Sequence, residues 1–149
     1  MDLSTKYMGL TLKNPLIISS SKLTSSLDNI KKYAENGAGA IVLKSLFEEQ
    51  ILDAIQAKLD DYPMYFWYPE ASEYIKNISK GHGVNEYIRL LTDAKKAIHI
   101  PVIASINCIS SGDWMLFAKK LEEAGADAIE LNLFVIPSDP GRSSEYNEQ

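Results

Sequence analysis

Cysteine is nearly absent: Cys108 is the only one in 149 residues. That excludes an internal disulfide and a thiolate metal cluster. Histidine is scarce too. His82 and His99 stand far apart in unlike contexts, so no metal centre is expected. No apolar run approaches the ~20 residues of a membrane span. Positive charge is not in excess. The net charge of -5 gives no footprint for nucleic acid or for an anionic membrane. Met1-Asp2-Leu3-Ser4 lacks the basic start and apolar stretch of a signal peptide, and a reducing cytoplasm is expected. No G-x-G-x-x-G follows any candidate strand, which removes the dinucleotide-binding fingerprint. What remains, 46% hydrophobic and 23% charged, is ordinary globular composition.

One phrase occurs twice. The first copy runs from Glu35 through Gly37, Ala38, Gly39, Ala40, Ile41, Val42, Leu43 and Lys44 to Ser45. The second runs from Glu123 through Gly125, Ala126, Asp127, Ala128, Ile129, Glu130, Leu131 and Asn132 to Leu133. Each reads as a helix end, a glycine stop and a buried strand. Glycine ends helices because it enters the left-handed region without Cβ strain. Short apolar runs after such stops suit strands covered on both faces, as in a parallel sheet. In register, Lys44 falls opposite Asn132. A polar side chain thus ends each strand, where α/β barrels carry their chemistry.

Taken in order, residues 3–13 alternate weakly around Met8-Gly9 and predict a small hairpin. Asn14-Pro15 precedes a first strand at Leu16, Ile17 and Ile18, followed by Ser19, Ser20 and Ser21. Ser25 with Asp28 has capping-box spacing for a first helix carrying Leu27, Ile30, Tyr33 and Ala34. The second strand is Ala40 to Lys44. Ser45 with Glu48 predicts the start of a second helix with Phe47, Ile51, Ile55 and Leu59 on one face. Six of the fourteen aromatics then fall in residues 60–84, between Pro63, Pro69, Gly81 and Gly83. This stretch is expected to be a lid or a contact surface. Asn85 predicts the cap of a third helix bearing Ile88, Leu91, Ala94 and Ile98. The third strand is Val102 to Ile106, with Asn107 at its end. Ser110 with Asp113 precedes a fourth helix bearing Trp114, Phe117, Ala118 and Leu121. The fourth strand is Ala128 to Leu133.

Strands alternating with helices imply a parallel sheet. A closed eight-stranded barrel takes ~250 residues. Four strands in 149 residues match half of one. The expected fold is therefore α/β of the (β/α)8 TIM-barrel type. Only the N-terminal half, about four βα units over residues 1–149, is expected here.

Four motifs carry a family resemblance. They are Asn14-Pro15-Leu16 with Ser19-Ser20-Ser21; Gly39 to Ser45; Pro101 to Asn107; and Glu130-Leu131-Asn132-Leu133. In this order, the chain resembles the dihydroorotate dehydrogenase family of flavin barrels over nearly its whole length. The resemblance implies FMN, a small dihydropyrimidine substrate and hydride transfer. It implies that Ser19 and Ser20 lie against the flavin, that Lys44 touches flavin and substrate, and that Ser45 touches the flavin. It implies that Asn132 holds flavin or substrate, with Asn107 as a further ring contact. A lysine is a compact cation suited to reduced flavin and to a substrate carboxylate. An asparagine amide offers a donor and an acceptor in fixed geometry.

The chain also departs from the family. After Glu-Leu-Asn-Leu the family has Ser-Cys-Pro-Asn or Ser-Ser-Pro-Asn, whose cysteine or serine is the base. Here the residues are Phe134, Val135, Ile136, Pro137 and Ser138. Aligned on the proline, the base position is Ile136, which cannot accept a proton. Ser138 is the nearest hydroxyl and the base candidate. The family's Asn-x-Met-Gly-Leu-Pro loop is replaced by the aromatic stretch. The substrate is therefore open. So are two other functions: Schiff-base chemistry at Lys44, as in aldolases, and a flavin-free assembly role. A half barrel exposes sheet edges. The chain is expected to be a fragment of a longer one that does not hold FMN tightly by itself, unless two copies complete a barrel. A homo-oligomer, a dimer, is the expected assembly.

Overall fold

The computed structural model describes residues 1–47, 69–107 and 111–133, with 143 and 145. It opens on an antiparallel hairpin, β1 (Thr5–Tyr7) and β2 (Leu10–Leu12). Met8 and Gly9 join them with φ of 50° and 78°. Two successive positive φ values give the tight turn whose twist suits hairpin strands.

A parallel sheet follows. Its pieces are β3 (Ile17–Ile18), β4 (Ala40–Val42), β5 (Leu46–Phe47), β6 (Val102–Asn107) and β7 (Ala128–Leu131). β4 pairs with β3 on one side and with β6 on the other; β7 pairs with β6's far side. β5 lies further along the β4 edge of β6. Four strand positions thus run in chain order, all parallel. In a doubly wound sheet the order reverses at a switch point; here each connection advances to the next neighbour.

The helices are α1 (Leu27–Glu35), α2 (Pro69–Ala97) and α3 (Ser111–Glu123), with a short 3-10 turn at Lys22–Thr24. Ile41 and Leu43 join Val102, Ala104 and Ile106 in a core that packs against Ile30, Leu91, Ala94, Phe117 and Leu121. Burying each such Leu or Ile contributes roughly 1.5–3 kcal/mol. Because strand side chains alternate between faces, Ala40, Val42, Ile103, Ser105 and Asn107 occupy the opposite face, and all five are buried.

The two glycine stops behave as predicted. Gly37 and Gly125 have φ of 99° and 91°. Gly39 has a different reason to be glycine. A Cβ there would run into the backbone carbonyl oxygen of Asn14 and lie 2.8 Å from its Oδ1. Asn14 itself ties this corner together. Its Nδ2 donates to Gly37 O, its Oδ1 accepts from Leu16 N, and Gly39 N donates to Leu16 O at 2.7 Å.

Several predicted boundaries move. Ser26, not Ser25, caps α1, accepting from Asn29 N; Ser25 Oγ donates to Lys22 O instead. Ser21 and Thr24 form a capping box for the 3-10 turn. Asn85 caps nothing, because α2 already begins at Pro69 and runs through Gly81 and Gly83. A glycine within a helix costs only about 1 kcal/mol, and the buried stripe of Val84, Tyr87, Leu91 and Ala94 outweighs it. Ser45 does not start a helix either. Leu46 and Phe47 after it pair with Ile106 and Asn107 as strand. The rest of the predicted second helix and the aromatics of 62–68 lie outside the described residues, as do Cys108 and Ser110.

Candidate active site

The second strand position is not continuous. Val42 pairs with Ile103 and Leu46 pairs with Ile106. Three residues, Leu43, Lys44 and Ser45, therefore face two, Ala104 and Ser105. That extra residue is a β-bulge, which bends the strand and re-aims its side chains. Leu43 N still reaches Ile103 O at 2.9 Å, so the irregularity falls on Lys44 and Ser45.

Ser45 begins a chain of hydroxyls across the sheet. Its N–H donates to Ser20 Oγ at 2.9 Å, and the two hydroxyls are 3.0 Å apart. Ser45 Oγ lies 2.6 Å from Ser105 Oγ, and Ser105 Oγ donates to Glu130 Oε1 at 2.8 Å. A hydroxyl has one hydrogen. Ser105 gives its hydrogen to the carboxylate, so Ser45 gives to Ser105 and Ser20 gives to Ser45. All three hydrogens are in use, as is the Ser45 N–H. Towards a ligand, Ser20 and Ser45 can offer lone pairs only.

Tyr87 of α2 enters the same place from the helix side. Its hydroxyl donates to Ser105 O at 3.1 Å and accepts from Ser105 N at 2.9 Å. It is buried, and burial pushes the phenol further above its ordinary range. The bond accepted from Ser105 N opposes that shift, because an N–H donor favours the phenolate, and the nearby Glu130 charge adds to it.

Lys44 is half-buried and lines a cavity of about 330 Å³ with Ser25, Ser45, Phe47, Glu86 and Tyr87. Its Nζ lies 5.6 Å from the Phe47 ring centroid, within cation–π range. Further along the sheet, Asn107 Nδ2 donates to Asn132 O at 2.5 Å, and Asn132 N donates to Ile106 O. The two asparagines so stand side by side at the strand ends. Asn107 is buried and Asn132 half-buried.

Of the residues expected from sequence, Ser20 and Ser45 are in contact, Asn107 and Asn132 are in contact, and Lys44 sits in the bulge. Ser19 is exposed. Ser138 and Ile136 lie outside the described residues. Three members of the network, Ser105, Glu130 and Tyr87, were not anticipated. Two of them had a signal: Ser105 and Glu130 are polar residues inside otherwise apolar strands. Among the described residues, no group of three or more His, Cys, Asp or Glu could hold a metal ion. Nor, among them, is any helix long and apolar enough to cross a membrane.

Parallel strands whose C-terminal ends gather a lysine, hydroxyls and amides define an α/β fold with a polar cluster at its strand ends. Comparison with known proteins narrows that class. The chain is similar over 89% of its length to dihydroorotate dehydrogenase sequences. It is 32% identical to a protein described as a candidate dihydroorotate dehydrogenase A (fumarate) in Aeropyrum pernix. It is 31% and 30% identical to the catalytic subunits of dihydroorotate dehydrogenase B (NAD(+)) from Thermoplasma volcanium and Thermoplasma acidophilum. The chain spans 41% of the length of each of these relatives. No family model matches it.

Proposed function

We propose that this chain forms the N-terminal half of a (β/α)8 barrel in an FMN-dependent oxidoreductase of the dihydroorotate dehydrogenase type. The observation that carries this reading is the cluster at the strand ends, where Lys44, Ser45, Ser20, Asn107 and Asn132 follow one another across four parallel strands. Strand order supports the barrel over a doubly wound sheet, because it never reverses.

The residues suit a flavin in a particular way. Flavin rings present mostly acceptors and one N–H donor. Lys44, with three N–H groups, and the Asn132 amide can donate to those acceptors. Ser20 and Ser45 can only receive, so they suit the N–H edge. When bound, FMN would supply the hydride acceptor. The chain's part is to place a cation beside the ring and beside an anionic substrate, which stabilises charge developing at both. The departure at Ile136 leaves the substrate class wider than dihydroorotate, an oxidisable small anion being what Lys44 selects. Pyrimidine biosynthesis is the setting the resemblance suggests, in the reducing cytoplasm, with a homodimer as the assembly.

Flavin fluorescence tests this reading directly. Titrating the protein into FMN should give saturable quenching, weakened about tenfold or more by Lys44→Ala. Quenching that is absent, or equal in both proteins, would remove the flavin assignment.

A further inference from the structure

We infer that Tyr87 is a positioning residue. Its phenol takes the place of a missing strand contact and holds open the bulge that presents Lys44 and Ser45.

The ladder between β4 and β6 shows what is missing. Ile41 N donates to Pro101 O, and Leu43 N donates to Ile103 O. On a parallel ladder every second residue of β6 faces β4. The next rung would run from Ser45 N to Ser105 O. Instead Ser45 N has turned to Ser20 Oγ, and both backbone groups of Ser105 face a gap. Buried backbone groups are almost always paired. The Tyr87 hydroxyl pairs both, donating to the carbonyl and accepting from the N–H.

Few side chains could do this. The group must donate and accept at one atom, and it must reach the sheet from a packed helix. A tyrosine meets both needs, and its ring belongs to the core beside Leu91 and Ile106. Phenylalanine would fill the same volume but pair neither group. The strand would then have a cheaper state. Ser45 N could return to Ser105 O and erase the bulge. A one-residue change of register turns side chains to the other face. Lys44 would leave the Phe47 ring, and Ser45 would leave Ser20. In Tyr87 the helix layer therefore sets the geometry of the strand ends. Its purpose rests on the flavin reading; its geometry does not.

The test needs no cofactor. The lysines are reductively methylated with 13C-formaldehyde, and Lys44 is assigned by its loss in Lys44→Arg. Its methyl signals, close to the Phe47 ring, should stand apart from those of exposed lysines. In Tyr87→Phe they should move at least about halfway to the exposed position. Unchanged Lys44 signals in a folded Tyr87→Phe would overturn the inference. If that variant does not fold, the unaltered protein decides: a Ser105 amide as protected as Ile103 supports the Tyr87 bond, and one that exchanges like a loop amide removes it. Moved Lys44 signals without any FMN quenching would leave the positioning role standing and the flavin reading fallen.

Discussion

The two copies of the repeated phrase start alike and end differently. Both close a helix with a glycine at positive φ, and both enter the sheet at an alanine, Ala40 and Ala128. The second copy then runs straight. Ala128 to Leu131 pair with Ile103 to Ile106 without a break, and Asn132 N continues the ladder. The first copy breaks after Leu43. The difference is one of neighbours, not of local sequence. The first copy is flanked by strands on both sides and approached by Tyr87. The second lies at an edge of the sheet that the described residues form, with Glu130 and Leu131 exposed. Equivalent positions thus give a lysine aimed by a bulge in one copy and an asparagine held by a regular strand in the other.

Breaking the bulge should have the largest effect. Tyr87→Phe removes both hydrogen bonds to Ser105, at about 1.5 kcal/mol each, and should destabilise by about 3 kcal/mol, measured as a lowered denaturant midpoint at unchanged slope. Gly39→Ala should cost about 2 kcal/mol by overpacking against Asn14. Its counterpart in the second copy behaves in the opposite sense. Asp127 occupies the position of Gly39 and needs its side chain. It accepts from Val102 N at 2.7 Å and pairs with Lys95 Nζ at 2.6 Å. Asp127→Ala should cost about 1.5 kcal/mol, part of it lost on adding salt because the ion pair is partly exposed. Thermal melts at two salt concentrations would show whether only the second copy has this sensitivity. The smallest effect should come where the copies agree. Gly37→Ala and Gly125→Ala should each cost about 1 kcal/mol, since no atom lies within 4 Å of either added Cβ. Unequal costs would mean that the shared helix stop is not truly shared.

Much of the fold was legible because it rests on local rules. The hairpin at Met8-Gly9, the stops at Gly37 and Gly125, and the apolar runs at Ile41 and Val102 each follow from φ freedom or burial within a few residues. Helix starts were less legible. Ser25 and Ser26 are adjacent candidates, and only the geometry of the preceding turn selects Ser26. Asn85 looks like a cap until Pro69 to Val84 prove helical. The bulge could not be read at all. Leu43, Lys44 and Ser45 look like any strand end, and their break depends on a phenol forty-two positions later (87 against 45). For the same reason Lys44 and Asn132 were found as polar residues at strand ends, while Tyr87, next to the stripe of Ile88, Leu91, Ala94 and Ile98, drew no reading at all.

The hydroxyl chain has a consequence beyond its three serines. Glu130 stands on β7 at one edge of the sheet, and Ser20 follows β3 at the other. Because a carboxylate only accepts, every hydroxyl between them points the same way. A neutral amide at position 130 could donate, and the row could then reverse without moving the backbone. Ser20 would turn from a lone-pair surface into a hydrogen-bond donor. The sign of the polarity met by a ligand at one edge of the sheet is thus set by a single charge at the other.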